Sequence, residues 1–327
     1  MKKTLLSVLP VLAFAMVTTQ AAAPSLSYEI SGNELIINYT GTLLQSADAV
    51  TWTEVASASS PYQVALSDKK LFFCAKGTES NDITIPLSDK VNLNLIWINP
   101  GTFTMGSPSD ELGRWDDEVQ HQVTLTQNYW LSDCEVTQGL YEAVMGTNPS
   151  YDVSKWFPVE NISWNDAMEF CQKLTAIEKA AGRLPEGYEY TLPTEAQWEY
   201  ACRAGTTTAL NSGKNLSDEY GCPEMDEVGW YWYNSDEPHP VGQKQPNAWG
   251  LYDMHGNVWE WCLDYYGDYP ASSITDPKGP GTGSYHVLRG GGWSGVADEC
   301  RSAYRYYSYP SNWDYSYGFR VALAPVQ

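Results

Sequence analysis

The residues best suited to redox or metal chemistry in this 327-residue chain are its seven cysteines: Cys74, Cys134, Cys171, Cys202, Cys222, Cys262 and Cys300. No two of them form a CxxC pair, which argues against a zinc ribbon or a thioredoxin-type site. Their number is odd, so at least one thiol is free or pairs with another molecule. The four histidines, His121, His239, His255 and His286, show no HxD or HxxxH spacing and supply no iron triad. A different chemistry is written into residues 304–317, YRYYSYPSNWDYSY, which hold six tyrosines and three serines in fourteen positions. Tyrosine offers large, rigid, amphipathic contact area, and serine and asparagine offer adaptable hydrogen bonds, as in antibody loops. Tyr306, Tyr307, Tyr309, Trp313 and Tyr315 are the candidate contact residues. The other reading of the same segment is a tyrosine-rich loop packed on its own domain, and the sequence leaves both open.

Three well-marked helix starts frame these residues. Thr137 precedes a short helix reaching about Val144. Ser163 and Asp166 form a capping box, after which Ala167, Phe170, Cys171, Leu174 and Ile177 fall on one helical face. Thr194 and Gln197 form another, so Glu195 is better explained as part of a helix start than as a catalytic acid. Beyond Arg203 the chain reads as loops and short strands rich in Gly, Asn, Pro and aromatics. The 14 Trp and 23 Tyr fit an irregular, loop-rich fold, because these rings pack on one side and hydrogen-bond on the other. Before residue 91 the β-rich runs Leu35–Tyr39 and Leu71–Phe73 follow the turn signals Gly32-Asn33 and Ser67-Asp68. They predict a small all-β module over 24–90, with a linker marked by Gly77 to Asp82 and Pro86. Residues 1–23 have the form of a secretory signal: Lys2 and Lys3, an apolar run from Leu5 to Val17, then Thr19, Ala21, Ala22 and Ala23. The expected location is therefore periplasmic or secreted, with no transmembrane anchor after cleavage, and disulfides are expected in such a compartment. The formal charge of −21 excludes nucleic acid as a partner.

Six segments in order carry a family resemblance: Gly101–Gly106 (GTFTMG), Glu135–Gln138 (EVTQ), Leu192–Tyr200 (LPTEAQWEY), Asn247–Trp261 (NAWGLYDMHGNVWEW), Arg289–Trp293 (RGGGW) and Gly318–Arg320 (GFR). Over residues 91–327 the chain resembles the sulfatase-modifying-factor, or formylglycine-generating enzyme, family. The resemblance implies an irregular α+β fold of the C-type-lectin-like kind. It also implies structural calcium, because a turn supplies backbone carbonyls beside a carboxylate. Gly256, Asn257, Val258 and Glu260 match one such site, and Asn215 with Asp226 is a weaker match to a second. Some lectin-fold relatives carry diversified ligand-binding residues just before the GFR strand, where the tyrosine segment lies here.

The enzymes of the family oxidise a sulfatase cysteine to formylglycine, and the resemblance implies a copper(I) site built from two cysteines near the C-terminus. Aligned without gaps, Gly295 stands at the first of these positions and Cys300 at the second. Aligned on Arg301, Ala303 and Arg305, the first still has no counterpart. Cys300 is then either a residual catalytic thiol or a structural cysteine, and copper is not expected. Cys171 and Cys202 match positions that are disulfide-bonded in some members, but the usual partner positions hold Ser302 and Val321. The expected function is an exported binding module for a protein or glycan ligand, without oxidase activity. The alternatives are a formylglycine-generating oxidase acting on a sulfatase polypeptide, and an enzyme of other chemistry on the same scaffold.

Overall fold

The computed structural model describes residues 91–326 continuously, and before them 26–31, 34–39, 42–46, 53–55, 60, 62–65, 72–76 and 81–88. The signal-like residues 1–23 and both early turn signals lie outside the described residues. The chain divides into two units, Met1–Asn81 and Asp82–Gln327. In the first, Glu34–Tyr39 lies between Leu26–Ser31 and Tyr62–Ala65 in one antiparallel sheet, and Thr42–Ser46 lies between Thr53–Glu54 and Phe72–Lys76 in another.

The second unit is held by a five-stranded antiparallel sheet in the order Tyr188–Thr191, Ala322–Pro325, Tyr129–Ser132, Val91–Ile98, Ile83–Ser88. Its edge strand, Ile83–Ser88, falls within the span 24–90, yet it pairs with Val91–Ile98 and buries Ile85 in the second unit's core. Pro86 explains its edge position, because proline lacks the N–H that an inner strand must donate, and the register shifts between Pro86 and Ser88. The first and last strands of this unit thus share one sheet, with Trp130 between them opposite both Trp97 and Leu323.

The helices form where the caps predict. Helix α1 (Gln138–Met145) is capped by the Thr137 side chain. Helix α2 (Trp164–Ala180) and helix α3 (Glu195–Arg203) each carry a complete capping box, from Ser163 with Asp166 and from Thr194 with Gln197. Ala167, Phe170, Cys171 and Leu174 of α2 are buried as expected, but Ile177 is exposed. Glu178 is buried in its neighbourhood instead, held by Arg183.

Loop-rich chains leave many backbone carbonyls without a ladder partner. Here buried arginines gather them. Arg320 pairs with Glu260 through two nitrogens and donates to the Ser132 and Tyr252 carbonyls. Arg289 bridges Glu199 to the carbonyls of Ser302 and Tyr304. Arg301 joins Glu111, Glu118 and the Gly113 carbonyl, and Arg305 joins Glu195 and the Gly267 carbonyl. Each arginine fastens segments far apart in sequence. A second sheet, ordered Tyr306–Ser308, His286–Arg289, Trp259–Tyr265, Tyr317–Gly318, presents the tyrosine segment.

Candidate functional site

The tyrosine segment enters this sheet as an edge strand. Val287 lies opposite Tyr307 and Leu288 opposite Tyr306. The chain then turns through residues 309–316 on a frame of backbone bonds. The N–H groups of Asn161 and Tyr317 both donate to the Asp314 carbonyl, Asn165 N–H to the Pro310 carbonyl, and Trp259 N–H to the Ser316 carbonyl. Asp314 also accepts from the Ser316 N–H and hydroxyl. With its backbone pinned and its own polar groups satisfied, the loop directs its rings outward. Tyr306, Tyr307, Tyr309, Trp313 and Tyr315 are 40, 42, 49, 66 and 51% exposed, whereas Tyr304 and Ser316 are buried. All five candidate rings thus reach the surface.

The rings are not scattered. Tyr306 lies 5.2 Å from Trp259, Tyr307 lies 4.3 Å from Tyr266 and 5.0 Å from Tyr285, and Tyr309 lies 4.5 Å from Tyr285, with a hydroxyl–hydroxyl bond of 3.1 Å. Tyr304 bridges Trp259 to exposed Trp115, and Tyr315 lies 5.5 Å from Trp293. Such tilted and edge-on arrangements at these separations are favourable for aromatic pairs. The structure therefore adds Trp115, Tyr266, Tyr285 and Trp293 to the face. Their distance along the chain hid them, since single aromatics outside the dense segment carry no local signal.

The expected copper position is closed. A side chain at Gly295 would overlap Glu299 Oε2, which folds back to accept from the Val296 N–H. The Cys300 sulfur packs under Gly291, where a Cβ would strike it, in an apolar cluster with Cys222, Met225 and Ala297. Cys300 is fully buried, and desolvation, reinforced by Glu299 and Asp298, holds its thiol well above the ordinary range. A protonated, inaccessible thiol, with a glycine at the other ligand position that the resemblance implies, does not fit copper(I), which needs two converging thiolates.

The calcium assignments meet the same difficulty. Both oxygens of Glu260 are engaged, Oε1 by Arg320 and Oε2 by Arg320 and the Trp198 indole. The Asn257 amide is bonded in both directions to the His239 backbone. Gly256 lies against Trp230, and Val258 is buried beside Gly318. Asn215 accepts from the Ala209 N–H, and Asp226 accepts from Tyr231 and Asn234. Glu260, paired with Arg320, leaves no free carboxylate charge for Ca²⁺, which needs six to eight oxygens, and at the second position Asp226 is the one carboxylate of the pair. Next to Glu260, burial lifts the Glu135 carboxyl well above its usual range, and the Asp253 carboxyl to about 6. Among the described residues no group of three or more His, Cys, Asp or Glu side chains is arranged to hold a metal ion.

Disulfides are corrected for the six cysteines from Cys134 onward, none of which is bonded to another. Cys202 does face the expected partner position, but that position is Ser302, 3.5 Å away. Cys171 lies in a core cluster separate from that of Cys202 and Cys262.

The second unit is thus an irregular α+β domain whose polar core of arginine–carboxylate pairs supports an aromatic surface. The chain belongs to the sulfatase-modifying factor enzyme 1-like domain family, which matches residues 86–325. Among relatives, it is 33% identical over 247 residues to a formylglycine-generating enzyme of Thermomonospora curvata, covering 70% of each chain. It is 30% identical over 225 residues to the chaperone protein LppX of Paenibacillus barcinonensis, covering 56% of this chain and 75% of the relative. It spans only 20% of the Chlamydia caviae serine/threonine-protein kinase pkn1 and 52% of the Streptomyces coelicolor formylglycine-generating enzyme. Among solved structures, Treponema denticola variable protein 1 superposes with a TM-score of 0.66 at 31% identity, covering 75% of this chain and 99% of that one.

Proposed function

We propose that this protein is an exported, non-catalytic member of its family that takes a ligand on the aromatic face. The observation that carries this reading is the contrast between the two candidate sites. The thiol that oxidase chemistry would need is sealed under Gly291, and Gly295 stands where the resemblance calls for the other thiol, while five aromatic side chains stand exposed on a pinned loop. Family membership does not supply the missing chemistry, because relatives bear names as different as chaperone, kinase and formylglycine-generating enzyme. Rigid aromatic contact area with few rotatable bonds loses little entropy on binding, which is what a recognition surface needs.

The deciding experiment incubates copper-loaded protein with a Cys-x-Pro-x-Arg peptide, O₂ and a thiol reductant. The expected result is an unchanged peptide mass. Conversion of the thiol to an aldehyde, abolished by Cys300→Ala, would overturn the binding-module reading and establish an oxidase.

A further inference from the structure

The aromatic face has a one-sided charge. No lysine follows Lys278, and the four later arginines, Arg289, Arg301, Arg305 and Arg320, are all buried against carboxylates. The acids of the same stretch and of the loops beside it face the other way. Asp116 is fully exposed next to Trp115, and Asp117 accepts from the Tyr266 hydroxyl. Asp298 and Glu299 are half-exposed near Tyr304, and exposed Glu219 accepts the Asp298 N–H through its carbonyl. Asp314 sits between Trp313 and Tyr315. Arg114, beside Trp115, is only partly exposed and is paired with Asp116.

The arginines of the layer beneath are engaged by carboxylates, Arg289 among them, which lies 3.6 Å from Glu195 and pairs with Glu199. Arg301 and Arg305 there meet four carboxylates, Glu111, Glu118, Glu195 and Asp117. Burial raises the carboxyls of Asp298 and Glu299; Arg301 offsets part of this at Asp298, while Glu219 and Glu118 push Asp298 up and Asp298 pushes Glu299 up. The rings also have faces suited to cations. Arg305 already lies 3.8 Å over Tyr269 and 4.7 Å over Tyr266 from the inner side.

Resting on the binding-module reading, we infer that the partner of this face is a basic polypeptide segment, whose lysine or arginine side chains lie over the tyrosine rings and pair with the acidic rim. Aromatic area supplies contact, and the rim supplies sign and steering. An anionic glycan or nucleic acid would be repelled.

The test uses the full-length protein with fluorescent octa-arginine, octa-lysine and octa-glutamate peptides, followed by anisotropy at low and high salt. Both cationic peptides should bind, weakening with salt, and octa-glutamate should not. Asp116→Asn with Glu219→Gln should weaken binding about fivefold or more. Glu142→Gln with Glu186→Gln, which removes the same charge elsewhere on the surface, should change it less than about twofold. Tyr306→Ser with Tyr309→Ser should weaken binding about tenfold with an unchanged melting temperature.

Cationic peptides that bind no better than octa-glutamate, or equal effects of the two acid pairs, would overturn the basic-partner inference alone. A neutral chito-oligosaccharide whose binding is lost in the tyrosine variant but kept in the acid variant would also overturn it, assigning the face to glycan. The binding-module reading falls separately, on formation of aldehyde in the copper assay.

Discussion

At the scale of single residues, Cys300 and Gly295 differ from what an oxidase needs in both chemistry and access. Burial makes Cys171, Cys202 and Cys300 poor thiolates, with Cys202 pushed up to about 12 and the Cys300 thiol well above its usual value. Iodoacetamide applied to native protein should therefore leave Cys171, Cys202, Cys222, Cys262 and Cys300 unmodified. After denaturation without reductant, all five and Cys134 should react, as peptide mapping would show; protected pairs would restore the disulfide expectation. Glu260 gives a second residue-level prediction. With both its oxygens committed to Arg320 and Trp198, Glu260→Gln should cost about 3 kcal/mol, because it leaves a buried guanidinium without its countercharge. The loss in melting temperature should be the same with calcium and with EDTA. A loss seen only when calcium is present would restore the calcium site.

At the scale of elements, helix α3 ties the two chemistries of the core together. Its first N–H, from Glu195, donates to Asp264 on the neighbouring strand, and the Glu195 side chain holds Arg305 under the aromatic face. Burial pushes the Asp264 carboxyl up to about 8, and the Glu195 charge adds to this. Burial acts on Glu195 in the same direction, but Arg305 and Arg289 outweigh it and hold that carboxyl below its usual value. One acid is thus neutral and one charged at pH 7. Since the folded protein holds the Asp264 proton more tightly than the unfolded chain, this group favours folding fully below about pH 4, and the advantage is lost as pH rises through about 8. Asp264→Asn should flatten that decline. Urea midpoints at pH 5, 7 and 9 should fall less steeply in the variant, and parallel declines would show that Asp264 is ionised in the native state. Asp253 and Glu160, both raised to about 6 chiefly by burial, should leave a residual slope in either protein.

For the molecule as a whole, the face and the core share a layer without sharing function. Removing exposed rings should not unfold the protein, since surface substitutions away from caps and buried pairs stay within about 0.5 kcal/mol. The triple change of Tyr306, Tyr309 and Tyr315 to Ala should accordingly keep the melting temperature within about 3 °C of the original. A collapse would show that these rings are structural and would remove the support for a binding face. By contrast, Trp198→Ala should lower stability by about 3 kcal/mol or more, because it empties a fully buried site and strips an indole donor from Glu260.

The amino-acid sequence by itself determined what depends on near neighbours. Helix starts at Thr137, Ser163 and Thr194 were legible because a cap is satisfied within three residues, and the family was legible because its motifs are contiguous strings. The density of tyrosines in 304–317 also marked a segment as distinctive. Only the tertiary structure decided which way those tyrosines face, because exposure depends on what else packs there. The turn at Gly256–Glu260 shows the same division. From the turn alone its carboxylate reads as a calcium ligand, whereas in the fold Arg320, sixty residues away, pairs with both its oxygens. Likewise Ile83–Ser88 belongs to the larger unit because Val91–Ile98 needs an edge partner, and Cys300 is buried because Gly291 and the 222–225 segment close over it. Each outcome was set by long-range burial and charge pairing, whose free energies exceed the local preferences that a motif records.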